Sequence, residues 1–253
     1  MSKLTFLGTA SAVPAKDQQN THFVVQSGLR TILVDCVGNP IVRLQEAGIS
    51  PLSITDLILT HFHPDHVSGV PLLLMDLWLM GRNNPLRVYG LRDVIDRMVK
   101  MLDLYDWQTW QGFYPVSFYR ISDQPETLIA EAEMEVGVFP VCHMIPGIGI
   151  KMVLPDGGFC YSSDTSPCSI VTEMALGLEI LIHEATGEGV GHSSPEQAGR
   201  IAEQASVKQL YLIHYPPGTN EDQWVASAKK AYSGEVILAK DLMTIEFPRE
   251  SSQ

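Results

Sequence analysis

The chain has 253 residues, of which 45% are hydrophobic and 18% are charged, and its formal net charge is −12. This composition excludes a disordered or fibrous protein, and the length is sufficient for one large α/β domain. The negative charge repels a polyanion on average, so we expect no DNA partner, and RNA binding would need a local basic patch.

Short β-rich runs recur along the chain, and helical patterns lie between them. Strands are predicted at residues 4–7, 23–26, 31–34, 57–59, 87–89, 135–141, 148–154, 159–161, 180–183, 209–214 and 235–238. Helices are predicted at residues 41–47, 66–80, 91–104, 169–175, 195–205 and 222–232. The mixture predicts two sheets flanked by helices, within a single domain that spans residues 1–253.

Neither a signal peptide nor a membrane span is predicted. The N-terminus has no basic region followed by an apolar stretch, and the apolar run at residues 70–79 is interrupted by Pro71 and Asp76. We therefore predict a cytoplasmic protein without a membrane partner. No Cys-x-x-Cys pair is present, so reduced and mostly buried thiols are predicted for Cys36, Cys142, Cys160 and Cys168.

Three histidines and an aspartate fall within residues 61–66, between a predicted strand and a predicted helix. In an extended segment His61 and His63 project to the same side, so both imidazoles can reach one ion. Asp65 and His66 follow the bend at Pro64 and can reach a second ion. Capping a helix does not require so many ligand-type side chains, so the pattern predicts a two-metal site.

Four ligands from one turn cannot complete two coordination shells, so further ligands are expected at other strand ends. His143 follows the apolar run at residues 136–142, Asp164 follows the run at 159–163, and His214 follows the run at 210–213. Each of these side chains alone could be a buried, hydrogen-bonded polar residue. Together with the first cluster they complete a set of seven candidate ligands.

These features resemble the metallo-β-lactamase superfamily and, within it, the ribonuclease Z branch, over nearly the full length of the chain. The resemblance rests on residues 6–9, 32–36, 48–51, 61–66, 81–90, 163–168, 183–186 and 192–194. It implies an αββα four-layer sandwich of two mixed β-sheets. It also implies that one metal is bound by His61, His63 and His143, that the other is bound by Asp65, His66 and His214, and that Asp164 bridges the two.

The candidate ligands are nitrogen and oxygen donors, which favour zinc and leave manganese or iron open. Two such ions can hold a bridging hydroxide and stabilise charge on phosphoryl oxygens. Asp65 can orient that hydroxide and accept its proton, and His192 can stabilise the transition state or protonate the leaving oxygen, with Glu184 as its orienting partner. The alternatives are an exposed loop imidazole for His192 and an ordinary surface carboxylate for Glu184. Asp35 is expected to brace the ligand loops.

The chain departs from the ribonuclease Z pattern in three places. That branch commonly has a tRNA-binding arm between the residues matching His143 and Asp164, and only the 20 residues from 144 to 163 separate them here. These residues predict a hairpin around 155–158. Gln18 and Gln19 stand where basic character is usual, and Ser166 stands where arginine is usual. All three departures weaken the case for tRNA as the substrate.

The leading hypothesis is a zinc-dependent phosphodiesterase related to ribonuclease Z, acting on RNA 3′ ends or on smaller phosphodiesters. The alternative is a hydrolase of small esters, lactones or sulfate esters on the same metal centre. A diiron redox module is a third hypothesis, but it would need a flavin-binding partner domain. The aromatic segment at residues 75–120 predicts either a cap over a small-molecule pocket or core side chains together with a homodimer interface.

Overall fold

The computed structural model describes residues 1–247, which form two seven-stranded β-sheets. In chain order the strands of the first sheet are β1 (Ser2–Gly8), β2 (His22–Ser27), β3 (Arg30–Val34), β4 (Asp56–Ile58), β5 (Leu86–Leu91), β6 (Val116–Ile121) and β14 (Thr244–Phe247). Those of the second sheet are β7 (Glu126–Glu131), β8 (Met134–Val141), β9 (Gly147–Leu154), β10 (Gly157–Tyr161), β11 (Ile180–Glu184), β12 (Gln209–Ile213) and β13 (Glu235–Leu238).

The strands are ordered β14-β1-β2-β3-β4-β5-β6 in the first sheet and β13-β12-β11-β10-β9-β8-β7 in the second. Seven α-helices lie within the described residues: α1 (Pro40–Glu46), α2 (Pro64–Val67), α3 (Val70–Leu79), α4 (Arg92–Asp103), α5 (Ser169–Ala175), α6 (Pro195–Ala205) and α7 (Glu221–Ala228). Short 3-10 helices lie at Pro51–Ser53 and Trp107–Thr109.

Successive side chains of the central strands belong alternately to two different apolar layers. On β11, Ile180 and Ile182 belong to the core between the sheets, whereas Leu181 belongs to the layer under the helices. This is the two-residue period of a strand buried on both faces. Helices α5, α6 and α7 contact the second sheet, and α4 contacts β5 and β6 of the first. The predicted αββα sandwich is confirmed.

Two predicted helices were wrong in their extent. The helix predicted at residues 222–232 ends at Ala228, and the stretch at residues 66–80 is divided into α2 and α3. The division falls at Ser68–Gly69, and Pro71 occupies the first turn of the second helix. A Cβ atom on Gly69 would lie 2.9 Å from the backbone of Val37, so this position requires glycine. The short α2 therefore ends where the chain passes close to the loop after β3.

The sequence did not predict β6, β7 or β14, which all lie at or next to sheet edges. Edge strands carry polar and charged side chains on their free sides, which weakens the apolar signal. On β6 the side chains of Tyr119 and Arg120 are exposed, and β7 begins and ends with a glutamate. These strands are specified by pairing with their neighbours rather than by a local apolar pattern.

The carboxyl ends of parallel strands from both sheets meet at one edge of the sandwich. Strands β3, β4 and β5 are parallel, as are β10, β11 and β12. Asp35, Ser163 and His214 follow three of these strands, and each has a left-handed backbone with φ of 58°, 53° and 55° respectively. This conformation costs energy for a non-glycine residue and clusters at functional sites. It turns the chain sharply at the edge where the candidate ligands lie.

A close approach between two helices yields a first prediction. A Cβ atom on Gly199 of α6 would lie 2.3 Å from the carbonyl oxygen of Ala228 in α7. We expect Gly199→Ala to lower the free energy of unfolding by about 1 to 3 kcal/mol, because overpacking outweighs the better helix propensity of alanine. Urea unfolding measures the change, and Gln204→Ala on the exposed face of α6 is the matched control. A stabilised Gly199→Ala variant would contradict this packing.

Candidate metal centre

Three imidazoles meet where β4 enters α2. The Nδ1 atom of His63 lies 3.1 Å from Nε2 of His61 and 3.2 Å from Nε2 of His143. His143 arrives from the second sheet, just after β8, so the two halves of the sandwich contribute to one cluster. The three nitrogen atoms lie within 4.8 Å of one another and could hold one ion. We call His61, His63 and His143 the first metal group.

A second cluster lies beside the first. The Nε2 atoms of His66 and His214 each lie 3.6 Å from Oδ2 of Asp65, and the three atoms could hold another ion. Both histidines are buried, whereas Asp65 is partly exposed. We call Asp65, His66 and His214 the second metal group.

Asp164 lies between the two groups. Its Oδ2 atom is 3.9 Å from Nε2 of His61, 3.6 Å from Nε2 of His66 and 3.4 Å from Nε2 of His214. A carboxylate in this position can reach ligands of both groups. The structure thus brings all seven sequence-predicted ligands to one edge of the sandwich.

The donor atoms in this cluster fit two divalent cations. Among the described residues, Nε2 of His66, Nε2 of His214 and Oδ1 of Asp164 are buried without a hydrogen-bond partner. Buried polar atoms without partners are rare and costly, and cations would satisfy all three. The donor set of five imidazoles and two carboxylates is also one that divalent transition metals accept.

Hydrogen bonds on the far side of four imidazoles direct their Nε2 atoms into the cluster. A histidine that donates from Nδ1 presents an unprotonated Nε2 in its neutral form. His63 is the exception, since its Nδ1 atom faces the other histidines. The Nδ1 contacts are His61 to Thr60 Oγ1 at 3.1 Å, His66 to Asp35 Oδ2 at 2.7 Å, His143 to the Gly191 carbonyl at 2.8 Å, and His214 to Thr186 Oγ1 at 2.8 Å.

The local electrostatics favour a bound cation. Burial lowers the pKa of His61 and of His63, and neighbouring imidazoles lower both further, which keeps these rings neutral. Although burial opposes the shift, His214 and His66 hold the pKa of Asp164 well below its usual range. Burial also opposes the shift at His66, but the carboxylates of Asp164 and Asp35 raise its pKa well above the usual value. The same negative potential attracts a metal ion.

Glu184 and His192 form a pair beside the two metal groups. The Oε1 atom of Glu184 lies 3.3 Å from Nδ1 of His192 and accepts the backbone N–H of Ser193 at 2.7 Å. Glu184 is completely buried, so its interpretation as a surface carboxylate was wrong. The hydrogen bond with Glu184 raises the pKa of His192 above its usual value, which favours the protonated ring. The His192 ring lies 5.1 Å from His143, measured between centroids.

Comparison with known proteins places this site in a family. A family model described as the anti-Pycsar protein Apyc1 matches residues 2–234. The chain belongs to the Apyc1 family. Among curated proteins, the ribonuclease Z of Methanothermobacter thermautotrophicus is 27% identical over 307 aligned positions, which cover 97% of each protein. The predicted resemblance to metallo-β-lactamase hydrolases of the ribonuclease Z type is confirmed.

Solved structures agree with the Apyc1-family chain in fold. The metallo-β-lactamase fold protein YhfI from Bacillus subtilis has a TM-score of 0.83 and 23% identity, with coverage of 96% of this chain and 98% of the other. The short form of human tRNase Z has a TM-score of 0.77 and 23% identity, with coverage of 97% and 99% respectively. Both span essentially the whole length of this chain, which supports the description of residues 1–247 as one sandwich.

The segment between His143 and Asp164 is a plain hairpin in this member of the Apyc1 family. Strands β9 and β10 pair antiparallel from Leu154 opposite Gly157, which leaves Pro155 and Asp156 as a two-residue turn. The described residues therefore contain no arm projecting from this position. The hairpin expected from the sequence is confirmed.

The segment predicted as a cap or dimer interface, residues 75–120, contributes side chains to a groove. Trp78 and Trp110 stack at 5.4 Å between ring centroids, beside a groove of about 400 Å³. The groove is lined by Ser68, Pro71, Leu72, Met75, Met101, Tyr105 and Trp110. Both roles, cap and homodimer interface, stay predictions.

Several other residues can now be placed. Asp35 is buried and accepts hydrogen bonds from the backbone N–H and hydroxyl of Thr60 as well as contacting His66, so it braces both ends of the turn that carries residues 61–66. His22 and His183 are buried and belong to none of the metal-capable groups of residues 1–247. Burial lowers the pKa of His22 to about 4. Of the four free cysteines, Cys142 is exposed, which corrects the expectation of mostly buried thiols.

Proposed function

We propose that this protein is a phosphodiesterase that uses two divalent metal ions, with Zn²⁺ as the ion in each group. The observation that carries the proposal is the convergence of seven ligand-type side chains. Three buried atoms of these side chains have no hydrogen-bond partner. Zinc suits a set of imidazole and carboxylate donors without thiolates, and Mn²⁺ or iron would suit it as well. The full-length similarity to ribonuclease Z supports phosphodiester chemistry.

The proposed mechanism assigns a separate task to each protein side chain. Divalent ions in the two groups would supply an activated water and stabilise charge on the phosphoryl oxygens. Asp65 has an oxygen at the partly exposed side of the second metal group and accepts the proton of the attacking water. His192 donates a proton to the leaving oxygen, while Glu184 holds its Nδ1–H and keeps the ring aimed at the cluster.

A small phosphodiester fits this site better than a folded RNA. The hairpin of β9 and β10 offers no arm for a distant part of a tRNA, and the net charge of −12 repels a long polyanion. Gln18 donates from its side chain to Thr9 Oγ1 at 3.3 Å and is thereby directed inward. Ser166 accepts the backbone N–H of Gly191, so it has a structural partner in place of a phosphate.

A substrate profile of the zinc-loaded protein tests this proposal. We expect cleavage of bis-p-nitrophenyl phosphate and no comparable turnover of a carboxylic ester, a lactone or an aryl sulfate. We also expect no trimming of a tRNA precursor, because the contacts that would hold it are missing. Removal of the metal with dipicolinate should abolish the activity, and added Zn²⁺ should restore it.

Three outcomes of these experiments would contradict the proposal in whole or in part. Turnover of the ester or the sulfate without phosphodiester cleavage would favour the alternative hydrolase. Efficient trimming of the tRNA precursor would overturn the preference for small substrates while leaving the phosphodiesterase intact. Full activity in the chelated protein would remove the metal-dependent mechanism altogether.

Location and assembly stay predictions from the sequence. No helix in residues 1–247 has both the length and the apolar character needed to cross a bilayer. We propose a cytoplasmic protein, and a homodimer through the segment at residues 75–120. Size-exclusion chromatography with light scattering would measure the oligomeric state.

A further inference from the structure

The loop between β11 and α6 touches one histidine of each metal group. Near its start, Thr186 contacts His214 of the second metal group. Near its end, Gly191 contacts His143 of the first metal group. The same loop carries His192, so one short segment connects both groups to the proposed acid.

Thr186 determines which nitrogen of His214 carries the hydrogen. Its hydroxyl oxygen lies 2.7 Å from the backbone carbonyl oxygen of His214 and 2.8 Å from Nδ1 of the same residue. A hydroxyl has a single hydrogen, and a carbonyl oxygen can only accept, so the hydroxyl donates to the carbonyl and accepts from Nδ1–H. The Nε2 atom of His214 is then unprotonated, and it is one of two buried atoms without a partner in the second metal group, beside Nε2 of His66.

Gly191 performs the corresponding task for His143. Its carbonyl oxygen accepts Nδ1–H of His143 at 2.8 Å, and its own N–H donates to Ser166 Oγ at 2.9 Å. The backbone φ is 78°, and a Cβ atom would lie 2.8 Å from Nδ1 of His143, so glycine is required at this point. Ser166 stands where the ribonuclease Z pattern has arginine. The hydrogen bond between Gly191 N–H and Ser166 Oγ therefore depends on a residue in which this chain departs from that pattern.

We propose that Thr186 and Ser166 are positioning residues that fix the tautomer and direction of one metal-binding histidine in each group. Thr186 acts on His214 directly, and Ser166 acts on His143 through Gly191. Thr186 lies on the loop that carries His192, and Ser166 is hydrogen-bonded to the same loop at Gly191. The binding of each metal is therefore coupled to the placement of the acid. This inference rests on the proposed two-metal function.

A zinc titration of matched variants tests the assignment of Thr186. Thr186→Val keeps the shape of the side chain but lacks the hydroxyl, and Thr186→Ser keeps the hydroxyl. We expect Thr186→Val to bind the second equivalent of Zn²⁺ about 10- to 100-fold more weakly than the unmodified chain, because loss of such outer contacts costs this much affinity. Thr186→Ser should bind both equivalents of Zn²⁺ with the affinities of the unmodified chain. Competition with a chromophoric chelator measures both affinities.

Imidazole ¹⁵N NMR of the same samples identifies the histidine that is affected. In Thr186→Val, one equivalent of Zn²⁺ per site should no longer change the ¹⁵N chemical shift of Nε2 of His214. The ¹⁵N chemical shifts of His143 should change as they do in the unmodified chain. In Ser166→Ala the pattern should be reversed, with a weakened response of His143 and faster amide exchange of Gly191. Ser166→Thr, which keeps a hydroxyl, serves as its control.

The result separates this inference from the proposed function. If the unmodified chain binds two Zn²⁺ ions and Thr186→Val binds both with the same affinities and the same His214 shifts, the positioning role of Thr186 is wrong and the two-metal site stands. An unchanged response of the His143 chemical shifts to Zn²⁺ in Ser166→Ala would likewise show that Ser166 has no positioning role. If the unmodified chain binds no Zn²⁺, Mn²⁺ or Fe²⁺, the proposed function itself fails.

Discussion

Asp164→Asn is expected to lower kcat for bis-p-nitrophenyl phosphate by about 1000-fold or more. The Oδ2 atom of Asp164 lies within 4 Å of ligand atoms from both metal groups. An amide has nearly the same size but no charge, and it cannot replace a carboxylate that binds two cations. Loss of metal-assisted charge stabilisation costs several kcal/mol, and about 4 kcal/mol corresponds to this reduction in rate.

Metal content distinguishes this explanation from simple misfolding. Elemental analysis after dialysis should give fewer than two Zn²⁺ ions per chain for Asp164→Asn, while circular dichroism and the unfolding transition still report a folded protein. Asp123→Asn is the matched control, because Asp123 is an exposed carboxylate in the loop between β6 and β7. An Asp164→Asn variant that keeps two ions and full kcat would exclude a bridging role.

His192→Ala is expected to lower kcat by about 100- to 10,000-fold for a phosphodiester with a poor leaving group, because it lacks the proposed proton donor. A p-nitrophenolate leaving group needs little protonation, so the same variant should lose far less activity on bis-p-nitrophenyl phosphate. The comparison of kcat values for a p-nitrophenyl and an alkyl leaving group measures the difference. Metal content should stay at two ions per chain, since His192 belongs to neither group as defined.

Glu184 provides the companion variant. Glu184→Gln keeps an acceptor for the backbone N–H of Ser193 but has no charge to orient His192. We expect it to show the same dependence on the leaving group, with a smaller loss than His192→Ala. Equal losses on both leaving groups for either variant would show that the pair does not supply the proton. That outcome would leave a role in binding the phosphoryl group as the remaining interpretation.

The candidate metal ligands could be predicted from the sequence because the ligand-type side chains are locally concentrated. His61, His63, Asp65 and His66 fall within six positions, and this density exceeds what a helix cap needs. The more distant candidate ligands could be predicted because they follow apolar runs, and strand ends of a layered fold meet at one edge. The predicted ligand set includes every member of the two metal groups.

Residues that act behind the ligands had no comparable signal. Thr60 and Thr186 are ordinary threonines in the sequence, and Ser166 appeared only as a departure from an expected arginine. Their hydrogen bonds join residues that are up to 28 positions apart in the chain. Glu184 was an open question for the same reason, because its burial depends on the packing of loops from three different strands.

The sequence by itself determined the layered architecture, the seven candidate ligands and the short hairpin in place of an arm, because periodicity and residue chemistry are local properties. Tertiary structure decided which nitrogen of each imidazole faces the ligand cluster, where the helix after the cluster breaks, and that Glu184 is buried against His192. It also decided the edge strands. These features depend on contacts between distant segments, in which a hydroxyl, a carbonyl or a glycine acts only through the partner that the fold brings to it.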